Sequence, residues 1–456
     1  MICKKILALL LVLSLCLSLI ACGKSDDTGS GNTPPTDDGG IKDDHEVVEI
    51  PAVSGEHSYT FASRDGDVFT VTRADCGESP TVTVTAESGT TDAVSAEGST
   101  LSFGTVTEKS FYTLTGTLWG NLVVDVGDVN KVELSLCGFS LYAADACPIE
   151  IRSGDKVTLS AKKETSNYIY DLRAAVGADG ISAAVYAVCD LDLQGKGNLY
   201  IKSENNNGVH TKDDLSVQNL FLQVECLDNA LKGNDSVTVT SGTLVLIASE
   251  GDGIKTTNTD ISQKGKQRGI VTLSGGDILI YAAKDGIDAA YDVVLNEAEG
   301  STLVLNSHTG IYAKNTDADT ASVVTDTVTA GVVTAPGGGF PGGGGGFPGG
   351  GGNPGGGNPG GMEDGNTEKS EDSEKGIKAG NAITVSGGTV NVSAYDDALH
   401  ANGGETLENG ATSVGNVTVT GGTLKLYTND DGIHGDGSVE VAGGTVRVLK
   451  SYEGLE

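Results

Sequence analysis

A chain of 456 residues with a formal net charge of −33, 67 glycines and only 5% aromatics excludes two broad classes at the outset. Nucleic-acid binding needs clustered lysines and arginines against phosphate, and here 29 basic residues face 62 acids. A compact α/β enzyme does not suit so much glycine, whereas a repeat protein with many tight turns does.

The chain begins Met1-Ile2-Cys3-Lys4-Lys5, a short basic start, followed by an apolar run from Ile6 to Ile20. That run is a signal-peptide core, too short for the roughly 20 apolar residues a spanning helix needs. It ends in Leu19-Ile20-Ala21-Cys22, which resembles a bacterial lipobox. The resemblance implies removal of residues 1–21, lipidation of Cys22, and a mature protein anchored to the membrane from outside the cell. Residues 22–45 are rich in Gly, Ser, Thr, Pro and Asp and read as a disordered tether. Residues 46–108 keep a Val/Thr alternation, as in Thr81-Val82-Thr83-Val84-Thr85, and read as an N-terminal β region or cap.

From residue 109 to 456 one phrase recurs. It appears as Asn207-Gly208-Val209-His210, Asn229-Ala230-Leu231, Asp252-Gly253-Ile254 and Asp285-Gly286-Ile287. Asp179-Gly180-Ile181 precedes these, and His308-Thr309-Gly310-Ile311 is a weaker copy. Later come Asp396-Asp397-Ala398-Leu399-His400, Asp430-Asp431-Gly432-Ile433-His434 and Glu453-Gly454-Leu455. The apolar residues Val209, Leu231 and Ile254 are 22 and 23 positions apart, and some later steps are longer by about eleven. That period is one coil of a solenoid with loop insertions. A second phrase precedes each acidic one, as in Ser241-Gly242-Thr243 and Thr420-Gly421-Gly422-Thr423, with alternating strand-like residues on either side. Its glycines are expected to supply positive φ at corners. The expected fold is all-β, a right-handed parallel β-helix of about 22 residues per coil. Its interruption at 336–375, nearly all Gly, Pro and Asn at first, is expected to be a disordered insertion in one coil. The chain ends in mid-phrase, and the last coil is expected to need a cap from missing residues or a partner.

Stacking would set the acids of this phrase in a ladder about 5 Å apart. Ionised carboxylates at that spacing repel by roughly 3 kcal/mol at an effective dielectric near 20. They must be separated, protonated or bridged by cations. Turns that mix carboxylates, amides and backbone carbonyls suit calcium, which takes six to eight oxygens. The candidate ligands are Asp252, Asp285, Asp288, Asp396, Asp397, Asp430, Asp431, Asp436 and Glu453. The alternative is that each acid accepts backbone N–H groups at its own corner. Thr309 and Lys375 stand where an acid is expected, so no metal is expected there. His210, His400 and His434 directly follow the apolar residue and are expected to point outward. With Asn207 and Asn229 they are candidates for contact with a ligand. Five cysteines follow Cys22 (Cys76, Cys137, Cys147, Cys189 and Cys226) without zinc spacing, and buried thiols are expected.

The Asp-Gly-Ile phrases, the Gly-Gly-Thr corners and the stretch Thr211-Lys212-Asp213-Asp214-Leu215 resemble a family of bacterial surface proteins with β-helical carbohydrate-binding domains. The resemblance covers about Thr113 to Glu456. It implies a fold shaped like that of pectate lyases, bound calcium, and affinity for cellulose-like or acidic plant polysaccharides. Non-catalytic polysaccharide binding is therefore the leading expectation. A neutral glucan would need aromatic platforms, for which Tyr281, Tyr312, Tyr395 and Tyr427 are candidates. A calcium-dependent polysaccharide lyase is the first alternative, with Lys232 and Lys255 as candidate bases. A structural surface adhesin is the second.

Overall fold

Alternating β-branched and polar residues make short strands, each burying one side. The computed structural model describes residues 59–73, 82–177, 180–310, 326–328, 331–334, 373–407 and 410–456. Cys22, the tether, Cys76, Asp179, Ile311, Tyr312 and most of the Gly/Pro-rich segment lie outside the described residues.

Beyond the N-terminal region the strands stack as a parallel β-helix with three faces. The first face runs from Lys156–Ala161 through Asp190–Gly195 to Ser438–Val441. The second runs from Ser166–Asp171 through Asn198–Ser203 to Thr445–Lys450. The third is a 12-stranded sheet of short strands that includes Asn207–Thr211, Leu231–Gly233, Ile254–Lys255 and Ile433–Gly435. The handedness rule for parallel crossovers makes the spiral right-handed. The long strand Lys131–Ala143 bends at Gly138 (φ 67°) and pairs with the first strands of both the first and second faces.

Registers between coils are direct. On the first face Val157, Leu191, Leu215, Val237, Val271 and Val293 stack one above another, each 0% exposed. Burying a side chain of this kind stabilises by about 1.5–3 kcal/mol relative to leaving it exposed. The corners between first and second faces carry the expected positive φ at Gly242, Gly276, Gly388, Gly422 and Gly444. The small residue of the acidic phrase is required for another reason. A Cβ on Gly253 would lie 2.3 Å from Ile280 Cγ2 and 2.6 Å from the carbonyl oxygen of Gly286.

Strands Tyr59–Asp65, Val68–Arg73, Val82–Ser88 and Ser110–Trp119 form an antiparallel meander. Its last strand pairs in parallel with Lys131–Ala143, so this region continues the sheet, and Val71, Val82 and Val84 join the same core as Val448.

The structure corrects four details. His308 and Thr309 belong to the second-face strand Leu303–Thr309, opposite Tyr281 and Ala282, and are not a copy of the acidic turn. The neighbour of Ile287 is Ile377, which makes Lys375-Gly376-Ile377 the next true phrase. Residues 373–375 therefore belong to that turn and not to the insertion. At the other end Ala183, not Asp179, is the register partner of Asn207. Finally, the last coil has partners from inside the chain. Asp326–Val328 pairs antiparallel with Thr445–Lys450, and Gly331–Thr334 with Ser438–Val441.

Candidate functional site

The acidic phrase forms the turn between second and third faces. Its polar residue stacks as a ladder: Asn207, Asn229, Asp252, Asp285, then Lys375, Asp397, Asp431 and Glu453. The first four, Asp397 and Asp431 are at most 5% exposed. Each buried rung hands one oxygen to the next coil. The N–H of Asn229 donates to Asn207 Oδ1 (3.1 Å), that of Asp252 to Asn229 Oδ1 (3.1 Å), and that of Asp285 to Asp252 Oδ1 (3.0 Å). Lys375 N–H donates to Asp285 Oδ1 (2.8 Å) and Asp431 N–H to Asp397 Oδ1 (3.0 Å). The acceptor role anticipated for these residues thus runs between coils, not within one corner. Lys375 offers no acceptor, and Asp397 N–H turns instead to Asp396 Oδ1 (3.0 Å).

The second oxygen of each buried acidic rung faces a lysine ammonium or a histidine nitrogen, usually that of the residue three positions later, because the rung lies in the turn just before the third-face strand that carries the base. Asp252 Oδ2 lies 2.6 Å from Lys255 Nζ, Asp397 Oδ2 2.7 Å from His400 Nδ1, and Asp431 Oδ2 3.2 Å from His434 Nδ1. Asp285 is followed by Asp288 instead. There Lys255 Nζ reaches Asp288 at 2.7 Å, while Lys378 Nζ reaches Asp285 at 3.3 Å and Asp288 at 3.7 Å. Lys375, from the rung position, pairs with Asp396 and lies 3.1 Å from Asp397.

These bases belong to one outward column on the third face, in which Tyr186, His210, Lys232, Lys255, Asp288, Lys378, His400 and His434 are successive register partners. The expected outward aim of the histidines is what the half-buried positions show. Burial opposes the charge on Lys255, but the Asp288 and Asp252 carboxylates outweigh it and raise its pKa. His434 is raised to about 9 by its hydrogen bond to Asp431, with Asp436 on its other nitrogen at 3.1 Å. The His400 and His434 rings lie parallel, 4.5 Å apart, and with Asp397 they bring three ligand atoms within 4.8 Å of one another. Asp436 also accepts the Gly403 N–H (2.7 Å).

The first two coils of the ladder differ. Their rungs are amides, and His210 and Lys232, three residues later, make no ion pair with a carboxylate among the described residues. Lys232 makes no ion pair among the described residues, and burial lowers its pKa. His210 Nε2 lies 3.1 Å from Asn234 Oδ1, and its Nδ1 has no hydrogen-bond partner. Burial and the nearby Lys232 charge hold His210 down at about 4. Its ring meets Tyr186 edge-on at 5.4 Å, and Lys212 Nζ sits 5.9 Å from the centre of the Tyr186 ring. A cavity of about 520 Å³ lies on the same coils, lined by Lys202, Glu204, Glu225, Leu227 and Ile247.

Among the described residues, three all-carboxylate groups, and two that include His434, bring ligand atoms within 4.8 Å of one another. Asp252, Asp285 and Asp288 come together, as do Asp396, Asp397 and Asp430, and both groups already hold lysine ammoniums. They do not fit a resident calcium. The third group, Asp190, Asp213 and Asp214, escaped the sequence reading because it sits one turn later, between third and first faces. Lys266 Nζ lies 3.7 Å from Asp214 Oδ2, at the edge of ion-pair distance. Burial, then the charges of Asp213 and Asp214, raise Asp190 to about 6. Half-buried oxygens without an ammonium between them suit a hard cation. The doublet Asp213-Asp214 was legible, but its neighbour Asp190 shares no phrase with it.

Aromatic residues gather elsewhere than expected. On the outer side of the second face Trp119 stacks on Tyr142 (4.4 Å), Tyr142 on Tyr170 (5.1 Å), and Tyr168 on Tyr200 (5.0 Å). Trp119, Tyr142 and Tyr168 are half-exposed. Tyr281 stacks on His308, Tyr427 carries Lys450 over its ring, and Tyr395 is half-buried. Cys137, Cys147, Cys189 and Cys226 are free thiols, the last three buried.

A family model for carbohydrate-binding domain-containing proteins matches residues 97–416. The chain belongs to that family. Membership supports a carbohydrate-binding role. A "Carbohydrate-binding domain-containing protein" of Acetivibrio thermocellus is 34% identical over 118 residues, 25% of this chain. The match spans 41% of that relative's length. A polysaccharide lyase-like protein from C. thermocellum, solved as a gadolinium derivative, is 28% identical, with a TM-score of 0.41 over 48% of this chain and 85% of its own. Cilia- and flagella-associated protein 44 of Mus musculus is 25% identical over 209 residues, 42% of this chain and 11% of that protein.

Proposed function

We propose that this is a cell-surface polysaccharide-binding protein, lipid-anchored at Cys22, that holds acidic plant-type glycans along the outer column of the third face. The observation that carries the reading is the unpaired cation. In a chain of net charge −33, Lys232 makes no ion pair among the described residues, and the charges of Asp228 and Asp252 act on it only from beyond ion-pair distance. A half-buried ammonium with unused hydrogen bonds favours an incoming carboxylate or hydroxyl. His210, its register neighbour, leads on to Tyr186 and Lys212, which give the sugar an aromatic edge and a second cation further along the column. The stacked aromatics around Trp119 and Tyr142 offer a separate platform for a neutral glucan. Calcium belongs to this reading at Asp190, Asp213 and Asp214, where it would offset the carboxylate repulsion.

The test is retention of the protein on polygalacturonate and on cellulose, with calcium and with chelator. Lys232→Met is expected to weaken retention on polygalacturonate at least about tenfold, as for a lost charge-assisted hydrogen bond, and to leave cellulose retention unchanged. Equal retention of the variant on polygalacturonate would sink the reading. A lyase is the second reading, favoured by one observation: burial lowers the pKa of Lys232, as a general base requires. Lys255 is held charged between two carboxylates and does not suit that role. Rising ultraviolet absorbance from unsaturated products would establish the lyase.

A further inference from the structure

We infer that the acidic rungs from Asp252 to Asp431 are partnered by the protein's own lysines and histidines in place of calcium, so that the solenoid through these coils is built to be metal-independent. The inference stands apart from the glycan reading and concerns the cofactor that the acidic turns invite.

The oxygens account for it. Asp252, Asp285, Asp397 and Asp431 each give Oδ1 to the backbone N–H of the next coil. Each Oδ2 faces Lys255, Lys378, His400 or His434. Calcium needs six to eight oxygens at 2.3–2.6 Å. Between Asp252 and Asp288 the space is taken by Lys255 Nζ, 2.6 and 2.7 Å from the two carboxylates. Two cations cannot share that space.

The sequence repeats the same balance. Asp252-Gly-Ile-Lys255, Asp397-Ala-Leu-His400 and Asp431-Gly-Ile-His434 each couple an acid to a base three residues on. Where the third residue is Asp288, two lysines from neighbouring coils converge on it. Where the rung itself is Lys375, it lies against the acids of the next coil. The group Asp190, Asp213 and Asp214 has no such arrangement, which makes it the internal contrast.

The experiment is to count bound terbium, a calcium surrogate, by luminescence titration of the full chain and of three variants. Asp288→Asn is expected to bind as many ions as the wild type, and Asp213→Asn one fewer. Lys255→Met combined with Lys378→Met is expected to gain an ion, with at least tenfold tighter binding there than the wild type shows, and melting that calcium raises and chelator lowers. Loss of one ion from Asp288→Asn would overturn the inference. So would a folded double-lysine variant that gains none. Should that variant not fold, the Asp288→Asn count decides alone.

Discussion

Two stretches of one ladder solve the same problem differently. On the coils of Asn207 and Asn229 the rung is an amide, which satisfies the next coil's N–H without adding charge. From Asp252 to Asp431 every rung but Lys375 is a carboxylate doing the same backbone work, and each of these has a lysine or histidine nitrogen on its second oxygen. The backbone geometry is alike, but the amide coils leave a cation free and the acidic coils leave none among these rungs. The shape of the solenoid is therefore separable from the reactivity of its surface: amide or acid at one position decides whether the column can receive a ligand.

The largest expected effect breaks the acidic stretch. Asp397→Ala removes the acceptor for the Asp431 N–H and leaves His400 without its carboxylate, while Lys375 keeps only Asp396. Breaking a buried ion pair from one side costs about 3–5 kcal/mol. Asn229→Ala, which loses only neutral hydrogen bonds, is expected to cost about 1–3 kcal/mol. Urea unfolding of the two variants measures the gap, and equal losses would show that charge pairing adds nothing to the rung.

The next effect is one of sign. His434 is raised to about 9 in the fold, so the stability it contributes is full below its unfolded pKa near 6.5 and is lost as pH rises through 9. His210 is held at about 4, so its contribution is full above 6.5 and is lost as pH falls toward 4. Melting temperature should therefore fall on both sides of neutrality. His434→Gln should flatten the alkaline side and His210→Gln the acidic side. A variant that flattens the opposite side would refute the assignment.

The smallest effect converts one stretch into the other. Asn229→Asp places a carboxylate three residues before Lys232, as Asp252 stands to Lys255. The new pair is expected to change stability by no more than about 1 kcal/mol, the usual worth of a partly exposed ion pair. Retention on polygalacturonate should fall with it. A variant that keeps full retention would separate Lys232 from the glycan.

Much of this was legible in the sequence. The coil period, the Gly-Gly-Thr corners and the outward histidines follow from alternation and spacing, and the family match at residues 97–416 agrees with the motifs that suggested it. The charge pairing was written there too, as Asp252-Gly-Ile-Lys255. Reading acids and bases as two separate ladders hides it, because period-2 alternation puts i and i+3 on opposite faces and only the turn ahead of the strand brings them together. The His308-Thr309-Gly310 copy misled because its local composition mimics the turn, while the register that excludes it, Ile287 opposite Ile377, joins residues 90 apart. The cluster of Asp190 with Asp213 and Asp214 was hidden for the same reason, since its members meet only across coils.

The strands Asp326–Val328 and Gly331–Thr334 leave the spiral after the coil of Leu303–Thr309 and pair with strands of the last coil, three turns further along. A linear array of coils ordinarily frays from its ends, one unit at a time. Here the terminal coil is stitched to chain that departs upstream of it. Under a pulling force the end should therefore resist peeling until the stitch gives, and then release several turns in one cooperative step.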